Sequence, residues 1–162
     1  MQPRPSHVLS DGSLAMVDVG AKSVSERSAR AWALVRLPAA AEHALRTATL
    51  AKGDAFVAAQ VAGILAAKQT ASLIPLAHAL PLSSVDVGFA WEEPGLLRIE
   101  ATARTAARTG VEMEAMVAAT VAALTIYDMT KSLDKGIRIE SVRLLEKRGG
   151  KSGTWLAPDG AR

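Results

Sequence analysis

Cysteine is absent from this chain of 162 residues. Its absence excludes disulfides, thiolate metal sites and a cysteine nucleophile, and it fits a cytoplasmic location. Aromatic residues are only 4% of the sequence, whereas alanine is abundant, which favours closely packed helices over a sheet rich in aromatic side chains. No apolar stretch follows Met1. Residues 1–13 carry Pro3, Pro5, Asp11 and Gly12 and read as a flexible polar tail, not a signal peptide. The uncharged run Ala115–Tyr127 is too short to cross a bilayer, so no membrane partner is expected. The net charge of +3 is mild and does not by itself point to nucleic acid.

What is present suits one globular domain. The sequence is 49% hydrophobic and 22% charged, enough apolar surface to fold. The domain is placed at 14–153, followed by a flexible tail at 154–162. Met16–Val19 reads as a short strand and Ser25–Leu37 as a second. Pro38 suits the first turn of a helix from Ala39 to about Thr47. Asp54 can cap a helix from Ala55 to about Thr70. Val85, Val87 and Phe89 alternate with polar or small residues, Glu92–Gly95 is a turn, and Leu97, Ile99, Ala101 and Ala103 complete a hairpin. Gly110 introduces a long helix, Val111 to about Leu133, and Ile137, Ile139, Val142 and Leu144 form a last strand. From residue 25 this is strand, helix, helix, strand, strand, helix, strand. It is the split β-α-β plan of a ferredoxin-like α+β fold, an antiparallel sheet with helices on one face.

Four places carry chemistry. The long helix has Glu112 and Glu114 in its first turn, where the helix dipole favours anions whatever their role. Asp128 stands near its other end, where the dipole disfavours an anion, and Lys131 shares its face three residues on. A surface ion pair would explain both; so would a carboxylate and an ammonium held for proton transfer. His78 is the one ionisable side chain of the apolar loop Leu73–Pro81, as a backbone-bonded histidine or as a positioned functional one. Lys52 precedes the Gly53-Asp54 cap, where capping does not account for a cation. Finally, Glu146-Lys147-Arg148-Gly149-Gly150-Lys151-Ser152-Gly153 is glycine-rich with three cations. Leu145 occupies the first glycine position of a P-loop, so this is no Walker motif. Backbone N–H groups and lysines here can still face an anion, or simply be a solvated basic tail. His7 and His43 receive no role, and three scattered histidines make no metal site.

Together these blocks resemble the cyclic pyranopterin monophosphate synthase family of molybdenum cofactor biosynthesis. The resemblance rests on Lys52-Gly53-Asp54, Ala62-Gly63-Ile64, Leu73-Ile74-Pro75-Leu76 with His78, Thr109–Ala115, Ala123–Met129 with Lys131, and Arg143–Lys147 with Gly149–Gly153. It runs from about Met16 to Gly153. It implies a lyase that converts 3′,8-cyclo-7,8-dihydroguanosine 5′-triphosphate, made from GTP, into cyclic pyranopterin monophosphate with loss of pyrophosphate. It implies a cytoplasmic homohexamer, a trimer of dimers, with the active site at a subunit interface. Asp128 matches the family's catalytic aspartate, and Lys131 and Lys52 its essential lysines. Leu76, Ala77 and His78 match one substrate-binding segment and Met113-Glu114 another. Glu112, Lys147 and Lys151 look like further pocket residues. No resident metal or other cofactor is implied, and Mg²⁺ accompanying the triphosphate is left open.

The chain departs from the family pattern at Ala77 and Ala79, where Cys and Pro are usual, and at Ala106-Ala107, where Thr-Gly is usual. Thr130 replaces a Cys and Gln69 an Arg. Two other readings compete: a non-catalytic nucleotide- or pterin-binding module, against which the intact Asp128–Lys131 pair argues, and an RNA-binding domain on the same strand plan, although no nucleic-acid partner is expected. RNA-recognition sheets stack bases on aromatic side chains, and Leu96–Ala106 has none.

Overall fold

The computed structural model describes residues 7–158. The elements in chain order are β1 (Ser25–Arg36), α1 (Ala39–Arg46), α2 (Ala55–Lys68), α3 (Thr70–Leu73), β2 (Leu82–Glu93), β3 (Leu96–Ala107), α4 (Glu112–Thr130), β4 (Arg138–Arg148) and β5 (Trp155–Leu156). The strands form one sheet in the order β2-β3-β1-β4-β5, and every neighbouring pair is antiparallel. The first four strands of that order reproduce the ferredoxin-like plan.

Alternation along the strands decides which face is covered. In β1, Ala29, Ala31, Ala33 and Val35 are buried. Opposite them on β3, Leu97, Ile99, Ala101 and Ala103 are buried too. This face carries α2 and α4. The other face bears Arg30, Arg36, Arg98 and Glu100, with ion pairs such as Arg30–Glu100 at 3.4 Å. The hairpin between β2 and β3 turns at Gly95, whose φ of +76° suits glycine.

Small residues set the helix packing. The carboxylate of Asp54 caps α2 by accepting from the backbone N–H of Phe56 and Val57 at 2.9 and 3.1 Å. Midway along α2, Gly63 lies against α4. A Cβ there would sit 2.9 Å from the Ala118 carbonyl oxygen and 3.1 Å from Val87 Cγ2. Ala118, Ala119, Ala122 and Ala123 of α4 are fully buried. No helix among the described residues is long and apolar enough to cross a membrane.

Three expectations need correction. Met16–Val19 is not a strand. The Asp18 carboxylate accepts the Gly20 N–H at 2.7 Å, and the segment lies as a loop against the residues around His78. The helix expected to run to about Thr70 ends at Lys68, and the separate short helix α3 follows. An unpaired tail from 154 did not anticipate β5, which pairs with Glu146 and Lys147 on β4. The Ala157 N–H donates to the Leu145 carbonyl at 2.8 Å, and Arg143 to the Pro158 carbonyl at 2.8 Å. The expected tail residues 1–6 and 159–162 lie outside the described residues.

Candidate active site

The sequence-selected residues fall into two groups at opposite ends of α4. At its C-terminal end, Lys131 Nζ lies 2.6 Å from Asp128 Oδ1. The loop before α2 brings Lys52 alongside. Its Nζ donates to the Asp128 main-chain carbonyl at 2.7 Å and lies 3.6 Å from Oδ2. One carboxylate therefore stands between two ammonium groups. The hydrogen bond from Lys131, then the charges of Lys131 and Lys52, hold the Asp128 carboxyl below its ordinary range. Asp128 in turn raises the Lys131 ammonium. All three side chains are about half exposed.

The second group surrounds the N-terminal end of α4. A cavity of about 340 Å³ is lined by Leu76, Ala77 and His78 from the loop after α3 and by Glu112, Met113 and Glu114 from α4. His78 Nε2 is 2.8 Å from the Val17 carbonyl oxygen. A carbonyl only accepts, so Nε2 carries a proton and Nδ1 is the ring nitrogen left free of this contact. Glu114 is only 4% exposed. Burial, and to a lesser degree the charge of Glu112, pushes its carboxyl upward, towards the neutral form.

Beside it lies a second cavity of about 600 Å³, lined by Glu112, Lys147 and Lys151. Lys147 Nζ lies 3.2 Å from Glu112 Oε1. Lys147 is the last residue but one of β4, and the glycines that follow the strand, Gly149 and Gly150, have φ of +97° and +73°. A Cβ on Gly149 would collide with the Glu26 carbonyl oxygen, so the chain turns there only as glycine. β5 closes this loop as a hairpin.

The two groups do not meet within one chain. From Glu112 to Asp128 is about 24 Å along α4 at ~1.5 Å per residue. Asp128, Lys131 and Lys52 line neither cavity.

The sequence reading missed several residues here. Lys22 lines both cavities, His7 the smaller, and Arg27, Arg108 and Ser25 the larger. Arg27 donates to the carbonyls of Ala107 and Arg108 at 3.0 and 3.3 Å, and its guanidinium packs against Gly150. The buried Ser25 hydroxyl has no hydrogen-bond partner among the described residues. One signal was available. Position 27 shares the parity of Ala29 and Ala31, so a charged side chain there enters the helix-bearing face of the sheet. Lys22, on an irregular loop, carried no such signal. Among the described residues there is no group of three or more His, Asp or Glu side chains able to hold a metal.

The model of the MoaC family matches residues 16–150. A cyclic pyranopterin monophosphate synthase of Novosphingobium aromaticivorans is 51% identical, over 95% of this chain and 98% of its own. One from Bordetella petrii is 53% identical, over 94% and 95%. One from Corynebacterium efficiens is 52% identical, over 93% and 96%. With the family model matching most of the chain and these relatives about half identical over nearly its whole length, the chain belongs to the MoaC family.

Proposed function

We propose that this chain is a cyclic pyranopterin monophosphate synthase acting on 3′,8-cyclo-7,8-dihydroguanosine 5′-triphosphate in the cytoplasm. The product is cyclic pyranopterin monophosphate, and pyrophosphate leaves. The observation that carries the reading is the Asp128 carboxylate set between Lys131 and Lys52, together with a separate cationic loop at Lys147 and Lys151. Opening a purine ring and closing a pterin ring requires several proton transfers. Forming the cyclic phosphate as pyrophosphate departs requires cations at the phosphoryl oxygens.

In this reading the smaller cavity takes the base. Leu76 and Met113 offer apolar contact, His78 a ring nitrogen, and Glu114 a buried carboxyl whose burial shifts it towards the protonated form. The larger cavity takes the triphosphate on Lys147, Lys151 and Lys22, with the Ser25 hydroxyl as a further donor. Asp128 and Lys131 perform proton transfer, and Lys52 fixes the aspartate through its main-chain carbonyl. The reaction so written needs no resident cofactor.

A site that uses both groups, about 24 Å apart within one chain, has to draw them from different copies, and we take this arrangement as part of the proposal. Val57, Val61 and Leu65 form a half-exposed apolar stripe on α2, and Leu124 of α4 is as exposed. Covering such a stripe is the ordinary use of a subunit contact. We place the chain in a homohexamer, a trimer of dimers, with each site assembled across an interface.

The test is incubation of purified protein with the cyclised GTP derivative, with and without Mg²⁺, measuring pyrophosphate and pterin product. Equal release of both supports the proposal. Tight binding without turnover would leave the non-catalytic module instead, and a monomeric mass by light scattering at micromolar concentration would defeat the shared site.

A further inference from the structure

Glu112 is the only side chain of α4 that borders both the cavity assigned to the base and the one assigned to phosphate. Its carboxylate faces the phosphate side, 3.2 Å from Lys147 Nζ. It reaches that position by folding back over Gly110. A Cβ built on Gly110 would overlap Glu112 Oε2, with Cδ and Oε1 at 2.7 and 2.8 Å. Gly110 has no positive φ, so backbone conformation gives no reason for glycine there. The space it leaves is filled by the carboxylate.

We propose that Glu112 is a placeholder anion: in the empty site it occupies Lys147, and an arriving phosphate displaces it towards the base cavity. The inference rests on the phosphate assignment of Lys147 made above. Binding phosphate then has a cost, since one ion pair is broken to make another. The return is a carboxylate delivered beside the base only when the triphosphate is seated. Remote binding interactions spent on arranging the reacting centre raise turnover at the expense of ground-state affinity. The ion pair is about one-third exposed on each side. Its loss therefore changes affinity by a few-fold and not by orders of magnitude.

The experiment is calorimetric binding of inorganic tripolyphosphate, free of divalent cations, to the intact protein. Glu112→Gln is expected to bind it about threefold to fivefold tighter than wild type, the range of an ion pair of this exposure. Gly110→Ala keeps every charge but displaces the carboxylate, and it should tighten binding in the same direction. Neither gain should survive in a Lys147→Ala background. With the cyclised substrate, Glu112→Gln should lower KM and kcat together, the signature of lost ground-state cost. Unchanged or weaker binding by Glu112→Gln, or tightening that persists without Lys147, overturns the exchange while leaving the phosphate site standing. If Lys147→Ala alone leaves tripolyphosphate binding at the wild-type level, the phosphate assignment fails and the exchange fails with it. Circular dichroism of each variant separates these outcomes from misfolding.

Discussion

Lys131, which caps the C-terminal end of α4, places its Nζ 2.6 Å from the Oδ1 of Asp128, three residues earlier in the last turn of that helix. The carboxyl is held below its ordinary value of 3.8 and the ammonium above 10.5. Across the neutral range both are therefore charged, so Lys131 presents a proton donor and Asp128 an acceptor. Through this pair, turnover should be flat between those limits.

Asp128→Asn follows directly. The change is nearly isosteric at an exposed position, so melting at neutral pH should barely move. A carboxyl with a lowered folded pKa contributes stability above its unfolded value and loses it as pH falls through the folded one. The variant should lack that acid-side loss below 3.8. Turnover should collapse, and near-normal product formation would remove Asp128 from the mechanism.

Gly63→Ala tests the contact between α2 and α4. The added methyl would meet the Ala118 carbonyl oxygen at 2.9 Å and Val87 Cγ2 at 3.1 Å. Backbone cannot yield as a side chain tip does. The expected loss is about 1–3 kcal/mol, typical of overpacking, despite the better helix propensity of alanine. Urea denaturation measures it, and an unchanged midpoint contradicts the packing described.

The elements that the sequence made legible are those with strong local signals. Pro38 marks the start of α1, the Asp54 carboxylate caps α2, and alternation defines β2 and β3. What escaped depended on distant partners. β5 exists because Trp155 and Leu156 find the edge of β4, which two residues of sequence cannot announce. Met16–Val19 has strand-forming residues, but Asp18 bonds locally to Gly20 and His78 takes the Val17 carbonyl. In the site, Asp128 beside Lys131 was readable from helical spacing. Lys52 was readable only as a cation that capping did not explain. Its bond to the Asp128 carbonyl spans 76 residues and belongs to tertiary structure.

Glu114→Gln should separate stability from activity. Burial raises the folded pKa of this carboxyl. Such a group favours folding when protonated, and its contribution is lost as pH rises from the unfolded pKa through the folded one. At neutral pH the neutral amide removes that penalty, so the variant should be more stable than wild type. Below the ordinary value of 4.5 the advantage should vanish. Thermal melts across this range give the answer; a variant less stable at neutral pH would show that the carboxylate is held by bonds that offset its burial.

Lys151 and Lys131 should fail in different ways. Lys151 lines the larger cavity beside Gly150, on the glycine-rich loop to which we assign the triphosphate. A contact made equally in ground and transition states contributes uniform binding, so Lys151→Ala should mainly raise KM. The expected loss is about 1–3 kcal/mol, that of a hydrogen bond to a charged group. Lys131 caps the C-terminal end of α4 and is held there by Asp128, which suits a step that needs placement. Lys131→Ala should lower kcat steeply with little change in binding. Steady-state kinetics on both variants, with binding of an unreactive nucleotide analogue measured beside them, distinguishes the roles. The assignment fails if Lys151→Ala leaves analogue binding intact while kcat collapses.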